Sequence, residues 1–329
     1  MEELITKLAD AWGPSGFEHH VRDLIRAEVE PLADEWWVDP LGNLICRVGQ
    51  GERRILTAAH MDEIGLIVSH IDRQGYARFS NIGTLFAATL LGARVRFENG
   101  VIGSVGVEHQ ITKRRELPDL PGFFVDVSGS GGVQVGDPGA FVQPVVRRGQ
   151  RLIGKSLDDR VGCAIQIEAM RRIKAQGTPH TLYFAFTVQE EVGSRGARPA
   201  AYSLEPDLGI VLDLTPTGDQ PQGDKSPVQL GGGPAIKTKD TGHIVPAAVK
   251  NLLIERAEAA GIPYQLEVLT HGSTDARMIQ IARAGVPTGA ISIPARYIHT
   301  QSETIDLGDV QAVLDLLVAV LTQPVELNG

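Results

Sequence analysis

The second half of the chain alternates between apolar residues at helical spacing and short apolar runs typical of buried strands. The helical pattern is clearest over residues 159–176, and Gly177 can close that helix. Three further helices are predicted over 245–260, 274–284 and 307–321. Four buried strands are predicted over 181–188, 209–213, 264–269 and 288–293. This alternation indicates an α/β fold, a mixed sheet with helices on both faces.

The first half of the chain has a different pattern. Gly13-Pro14-Ser15-Gly16 separates two amphipathic helices, a turn at 39–43 joins two short strands, and the buried strand 54–59 leads to His60. From 66 to 149 the chain has thirteen glycines, short β-rich pieces and no long helical pattern. We therefore predict a discontinuous main domain, 1–65 with 150–329, and an inserted all-β domain over 66–149.

Composition excludes several classes of protein. The 329 residues carry 31 Lys+Arg and 40 Asp+Glu, a formal charge of −9 that argues against nucleic acid or an anionic membrane as the main partner. There is no apolar run long enough to cross a membrane, and the acidic start MEELITKLADAW is unlike a signal peptide. With only two cysteines, Cys46 and Cys163, the chain is expected to be cytoplasmic and reduced.

Polar residues cluster at the ends of the predicted strands, where open α/β folds place their sites. Taken singly, each is more typical of a surface residue, a helix N-cap or a turn than of a metal ligand. Together they supply two imidazoles and several carboxylates, a ligand set that suits Zn²⁺, Co²⁺ or Mn²⁺. These residues are His60, Asp62, Asp158, Asp159, Glu190, Glu191, Asp213 and His299.

The strings around these residues resemble those of one family. AHMDEIG at 59–65, GKSLDDRVG at 154–162, QEEVGSRGA at 189–197, the Leu212-Asp213 strand end and HTQSE at 299–303 are similar to the M42 metallo-aminopeptidases. That family includes glutamyl, tetrahedral and deblocking aminopeptidases, and the order and spacing match along nearly the whole chain. The resemblance implies a zinc-exopeptidase-like catalytic domain that hydrolyses N-terminal residues from short peptides.

Carried onto this sequence, the resemblance implies two divalent cations per subunit, Zn²⁺ or Co²⁺, with Mn²⁺ as a third option. It places His60, Asp158 and Asp213 on one cation and Asp158, Glu191 and His299 on the other. Glu190 matches the general base, and Asp62 matches the carboxylate that orients His60. The choice of Asp158 over Asp159 as the bridge rests on the family pattern alone.

Local geometry supports two of these roles. Adjacent residues on a strand point to opposite faces, so Glu190 and Glu191 are not expected to do the same job. Asp62, two residues after His60, fits a partner that fixes the imidazole tautomer, and a turn cap is the less favoured alternative. The resemblance also implies a homo-oligomer of dimers, a tetrahedral dodecamer, with the insert 66–149 forming the dimer contact; a lid or an edge cover is the alternative.

Three other functions compete with this one. A glycoside hydrolase needs two carboxyls roughly 5–9.5 Å apart across the scissile bond, and no such pair stands out in a chain with 3 Trp and 5% aromatics. A non-catalytic scaffold is disfavoured because the ligand set and Glu190 are intact. An N-acyl amino-acid deacylase or amidase would use the same metal chemistry, so this alternative stays open.

The remaining polar residues carry weaker predictions. The loop 270–275 is expected to line the substrate pocket or to cap the next helix, and His243 is placed in the pocket or on the surface. The basic run 113–115 is expected to be a solvated loop. Surface positions are predicted for the other histidines, His19, His20, His70, His109 and His180.

Overall fold

The computed structural model describes residues 1–108, 117–128, 131–223 and 225–327. Predictions for His109 and for the basic run 113–115 lie outside these residues. The helices of the described chain are α1 (Glu2–Asp10), α2 (His19–Val29), α3 (Ala87–Leu90), α4 (Leu157–Gln176), α5 (Ala197–Leu204), α6 (Ala247–Ala259), α7 (Ala276–Gln280) and α8 (Leu307–Thr322).

The strands form one large sheet and one small barrel. Strands of the first half of the chain are β1 (Glu35–Val38), β2 (Leu44–Val48), β3 (Arg54–His60), β4 (Gly65–Ile71), β5 (Ala77–Ile82), β6 (Arg94–Phe97), β7 (Ile102–Val107), β8 (Phe123–Asp126), β9 (Pro138–Phe141) and β10 (Val146–Arg148). Strands of the second half are β11 (Arg151–Gly154), β12 (Thr181–Thr187), β13 (Leu208–Pro216), β14 (Ala235–Lys239), β15 (Gln265–Val268), β16 (Thr288–Arg296) and β17 (Glu303–Asp306).

The large sheet is mixed, as the sequence predicts. Its strands lie in the order β1-β2-β12-β3-β13-β16-β17-β11-β10, with β14 pairing with β16 and β15 with β14. The four central strands β12, β3, β13 and β16 run parallel, and their neighbours on both sides are antiparallel. Because central parallel strands are buried on both faces, they are nearly continuous in apolar residues, as in LGIVLDLTP of β13.

Helices cover both faces of this sheet. On one face α1, α2, α4, α6 and α8 pack over a core that includes Phe184, Leu212 and Ile291. On the other face α5 and α7 pack over a smaller core that includes Ala185, Val211 and Ala290. Neighbouring residues of one strand belong to different cores because their side chains alternate between the two faces of the sheet.

The segment between β3 and β11 forms a closed antiparallel barrel. The strand order around it is β4-β5-β8-β7-β6-β9, and its interior holds its own apolar core, including Leu66, Phe97 and Phe123. β10 falls within the predicted insert 66–149 but pairs with β11 of the large sheet. Barrel strands therefore occupy residues 65–141, and the division into two domains remains a prediction.

Several elements differ from the prediction in length or were not predicted. α7 is only five residues long, because the chain turns after Gln280 instead of continuing to 284. The elements that the pattern missed are short or carry charges at buried positions: β10, β11, β14, β17, α3 and α5. None of the helices in the described ranges is long and apolar enough to cross a membrane.

Candidate metal centre

The polar strand-end residues of the sequence meet at one edge of the large sheet. His60 is the last residue of β3, Glu190 and Glu191 follow β12, and Asp213 lies in the second half of β13. His299 follows β16, which runs parallel to β13. Since the carboxyl ends of parallel strands lie at the same edge, the fold brings these distant residues together.

Two groups of ligand atoms form there. Within the described residues, His60, Asp158 and Asp213 make one group and Asp158, Glu191 and His299 make another, with the ligand atoms of each group within 4.8 Å of one another. Asp158 belongs to both. Its Oδ1 lies 3.1 Å from Nε2 of His60, and its Oδ2 lies 3.5 Å from Nε2 of His299.

In each group the histidine also lies close to a second carboxylate. Nε2 of His60 lies 4.0 Å from Oδ1 of Asp213. Nε2 of His299 lies 3.2 Å from Oε2 of Glu191. Each group therefore presents one imidazole and two carboxylates, a donor set that fits zinc and similar borderline cations.

Asp62 connects His60 to the segment that carries Glu190 and Glu191. Its carboxylate accepts hydrogen bonds from the backbone N–H groups of Glu190 and Glu191, at 2.9 and 3.1 Å, and from Oγ of Ser15 at 2.6 Å. Nδ1 of His60 lies 3.3 Å from Oδ1 of Asp62 and 3.2 Å from its backbone oxygen. Asp62 is fully buried, so it can act on a reaction only through the groups that it positions.

Glu190 and Glu191 lie after the end of β12, so strand alternation does not set their directions. Glu191 contacts His299, whereas the side chain of Glu190 lines a cavity, described below, and accepts a hydrogen bond from Oγ of Ser194 at 2.8 Å. The two adjacent carboxylates therefore lie in different surroundings.

Asp159 faces away from both ligand groups. Its carboxylate accepts hydrogen bonds from the backbone N–H groups of His60, at 3.3 Å, and Gly162, at 3.0 Å. A Cβ at Gly162 would lie 2.4 Å from the oxygens of Asp159, which explains the glycine in the string DDRVG. Asp158, not Asp159, lies between the two histidines.

The electrostatics of the centre show an excess of negative charge. Burial, together with repulsion from neighbouring carboxylates, raises the pKa of Asp213 well above its usual range and the pKa of Glu190 to about 8. Burial would lower the pKa of His299, but Glu191 and Asp158 outweigh it and raise that pKa to about 11. Carboxylates held this close without enough protein cations are expected where divalent cations bind.

Glu303 supports the candidate centre, and the sequence pattern does not single it out. Its Oε2 accepts the backbone N–H of Asp158 and its Oε1 accepts the backbone N–H of His299, both at 3.0 Å. One buried side chain thus ties together the backbones of two candidate ligands from different elements. The only signal in the sequence is its place in the string HTQSE.

The backbone is unusual beside the site. Ser156, Gln189 and His299 have φ angles of 54°, 57° and 62°, in the left-handed region that favours glycine. Each is a site residue or lies within two positions of one. Non-glycine residues in this region persist where the surrounding contacts fix them, and they concentrate at functional sites.

A cavity of about 410 Å³ opens onto the two ligand groups. The predicted pocket loop contributes His271, Gly272, Ser273 and Thr274 to its wall. Apolar side chains make up much of the rest: Phe86, Leu214, Pro216, Leu269, Tyr297 and Ile298. Phe86 comes from the segment between β5 and α3, so the inserted region also contributes to this cavity.

Two of the other histidine predictions need correction. The prediction of a surface position for His180 is wrong: the residue is 3% exposed, with Nε2 2.8 Å from the backbone oxygen of Gln323. His243 is neither in the pocket nor on the surface; it is 2% exposed, with Nε2 3.0 Å from the backbone oxygen of Thr288. Each buried ring contacts a backbone oxygen that is distant in the sequence. Such partners leave no local pattern in the sequence.

Comparison with known proteins identifies the family. The profile of the M42 glutamyl aminopeptidases matches residues 42–316. This chain belongs to the M42 family. The M42 relatives include the lysyl aminopeptidase of Pyrococcus furiosus, which is 36% identical to this chain over 98% of this chain and 96% of its own length.

Solved structures of M42 peptidases agree with the fold. The aminopeptidase APDkam598 of the archaeon Desulfurococcus kamchatkensis superposes with a TM-score of 0.93 at 37% identity, covering 97% of this chain and 93% of that one. The TET1 peptidase of Pyrococcus horikoshii, which can assemble into a tetrahedron or a large octahedral shell, superposes at 0.89 with 31% identity, covering 98% and 99%. The protein is therefore a peptidase of the aminopeptidase class, in a metal-dependent family.

Proposed function

We propose that this M42 enzyme is a dinuclear metal aminopeptidase that removes N-terminal residues from short peptides. The observation that carries the proposal is the pair of ligand groups that share Asp158. His60, Asp158 and Asp213 would hold one cation, and Asp158, Glu191 and His299 the other. Zn²⁺ or Co²⁺ suits these donors best, with Mn²⁺ as a further option.

The bound cations would supply Lewis-acid chemistry, lowering the pKa of a water molecule and polarising the scissile carbonyl. Glu190 is proposed as the general base that takes the proton of the attacking water and later passes it to the leaving amine. The hydroxyl of Ser194 orients the Glu190 carboxylate through its 2.8 Å hydrogen bond. Asp62 keeps the Nε2 lone pair of His60 directed at the centre by contacting Nδ1.

The cavity is proposed to receive the first residue of the peptide. Its volume of about 410 Å³ lies in the range of small-ligand sites, and its apolar walls suit an uncharged side chain. The name of the M42 relative in Pyrococcus furiosus, a lysyl aminopeptidase, favours an aminopeptidase over a deacylase, whose substrate has an acylated nitrogen.

A panel of aminoacyl-p-nitroanilides tests this function. The enzyme is treated with a chelator, dialysed and assayed with Co²⁺, Zn²⁺ or Mn²⁺, and N-acetylated versions of the same substrates serve as matched controls. We expect no activity after chelation, recovery with metal and hydrolysis of the free-amine substrates only. Equal release of p-nitroaniline from the acetylated substrates would contradict an aminopeptidase, and release of acetate from them would instead support a deacylase.

We further propose a cytoplasmic homo-oligomer built from dimers, in a tetrahedral dodecamer with the barrel as the dimer contact. The TET1 peptidase of Pyrococcus horikoshii supports the shell, and exposed apolar residues of the barrel region such as Ile71, Ile102 and Val135 support the contact. The free, buried cysteines Cys46 and Cys163 suit a reducing compartment. Light scattering on the metal-loaded enzyme is expected to give the dodecamer mass; a fully active monomer at micromolar concentration would refute the assembly.

A further inference from the structure

A second group of metal-ligating side chains lies where α2 meets the barrel. His19 and His20 begin α2, and Glu98 follows β6 in the turn that leads to β7. Nε2 of His19 lies 3.0 Å and Nε2 of His20 lies 3.7 Å from the same oxygen, Oε1 of Glu98. We propose that these three residues form a separate zinc-type cation site, called here the junction site.

The distances between the three atoms suit one cation. Zinc binds imidazole nitrogen and carboxylate oxygen at about 2.0–2.2 Å, so neighbouring ligands of a tetrahedral ion lie about 3.3 Å apart. The two distances to Glu98 bracket that value, so small side-chain rotations would complete the geometry. Two histidines and a glutamate form a recognised zinc set, with the fourth position left for water.

Convergence of the two imidazoles needs an explanation. Consecutive residues of a helix point about 100° apart, yet the two rings lie with their centroids 4.2 Å apart and both face one oxygen. Trp12 holds them there: its ring lies 6.4 Å from His19 and 5.6 Å from His20, in edge-on geometry. The indole is itself fixed, because it is 6% exposed and its N–H donates to the backbone oxygen of Arg96 at 2.9 Å.

The junction site is accessible and separate from the main centre. The side chains of His19, His20 and Glu98 are 41%, 54% and 44% exposed, so a cation can reach them from solvent. A cation bound there would exchange with solvent more readily than one held by buried ligands. None of the three residues lines the main cavity. A cation bound there would connect the helical layer to the β6–β7 hairpin of the barrel and restrain their relative motion.

Metal counting tests the proposal on the assembled enzyme. After equilibrium dialysis against micromolar zinc, elemental analysis should give three Zn²⁺ per chain in the parent and two in His20→Ala and Glu98→Gln. His70→Ala, which removes an exposed histidine of β4, is the matched control and should keep three. Loss of one of the three ligands should lower the zinc affinity of this site by at least about 10–100-fold. Loss of a residue that only supports a metal ligand already lowers affinity by that factor.

The same count separates this proposal from the dinuclear centre. If the junction site does not exist, the parent and His20→Ala bind equal amounts of zinc. If the dinuclear centre does not exist, one metal remains in the parent and none in His20→Ala. The difference between the two proteins decides the junction site, and the zinc that remains in His20→Ala decides the dinuclear centre.

Fluorescence of Trp12 gives an independent readout that does not depend on activity. Cu²⁺ bound at the junction site would lie beside the indole and quench it. We expect saturable quenching in the parent and in His70→Ala, and its loss in His20→Ala and in Trp12→Phe. Equal quenching of the parent and His20→Ala, together with equal zinc content, would overturn the proposal.

Discussion

Replacing Glu190 with glutamine separates proton transfer from metal binding. Glutamine keeps the backbone N–H that donates to Asp62 at 2.9 Å, and its carbonyl oxygen can accept from Ser194 as the carboxylate does at 2.8 Å. Glu190 belongs to neither ligand group found within the described residues. The variant should therefore fold, keep both cations and lack only the proton acceptor.

The expected loss is large and falls on the chemical step. A positioned general base contributes about 10²–10⁴-fold, which corresponds to about 3–5 kcal/mol of transition-state stabilisation. We expect kcat to fall by that factor while KM changes much less, because ground-state binding in the cavity is unaltered.

The assay compares rate with metal content in two neighbouring variants. Glu190→Gln should be nearly inactive with the parent's metal content, as measured by elemental analysis. Glu191→Gln should lose metal, because Oε2 of Glu191 lies 3.2 Å from Nε2 of His299, and added metal should restore part of its activity. If Glu190→Gln shows near-normal turnover, or simply loses its metals, the two roles have been assigned in the wrong order.

Three further outcomes are expected. Asp158→Ala should impair both metal sites, whereas His60→Ala should reduce one site more than the other; a metal titration that shows equal losses in the two variants would contradict the shared ligand. Glu303→Gln should weaken metal binding by about 10–100-fold while the metal-free protein melts within a few degrees of the parent, measured by zinc titration and calorimetry, because glutamine can accept only one of the two backbone N–H groups. In the metal-free enzyme, burial and neighbouring charges raise the pKa values of Glu190 and Glu303 to about 8, so the stability that they contribute is complete below about pH 4.5 and is lost as pH rises through 8. The melting temperature of the chelated protein should therefore fall between pH 5 and 9, and zinc should remove most of that fall; a flat profile without metal would contradict the charge account.

The sequence was sufficient to predict the sheet and the edge where the site lies. Central strands such as β13 are apolar along most of their length, so their pattern is independent of distant contacts. Once those strands are parallel, residues near their carboxyl ends lie at the same edge, so the sequence pattern alone groups His60, Asp213 and His299.

Elements that depend on distant partners were missed. β14 contains Lys237, which is fully buried because its ammonium lies 2.9 Å from Oε1 of Glu267 on β15. A lysine in the middle of a strand is typical of a solvent-facing position, so the sequence AIKTK does not show the apolar pattern of a buried strand. β17 is four residues long and places the polar residues Glu303 and Thr304 inside, where backbone groups of other elements satisfy Glu303.

Residues that support the site also depend on partners distant in the sequence, so the sequence pattern does not reveal them. Lys155 was visible only as part of a family string, but its Nζ lies 2.6 Å from Oε2 of Glu63, which also accepts from Ser156. These buried contacts hold the segment after His60 against the segment before Asp158. They join residues more than ninety positions apart, and no spacing rule predicts such pairs.

The central claim is that two cations share Asp158, and anomalous diffraction from crystals grown with zinc tests it most directly. We expect two peaks at the zinc edge, one contacted by His60 and Asp213, the other by Glu191 and His299, with Asp158 contacting both. A single peak at this edge of the sheet, or two peaks that Asp158 does not bridge, would contradict it.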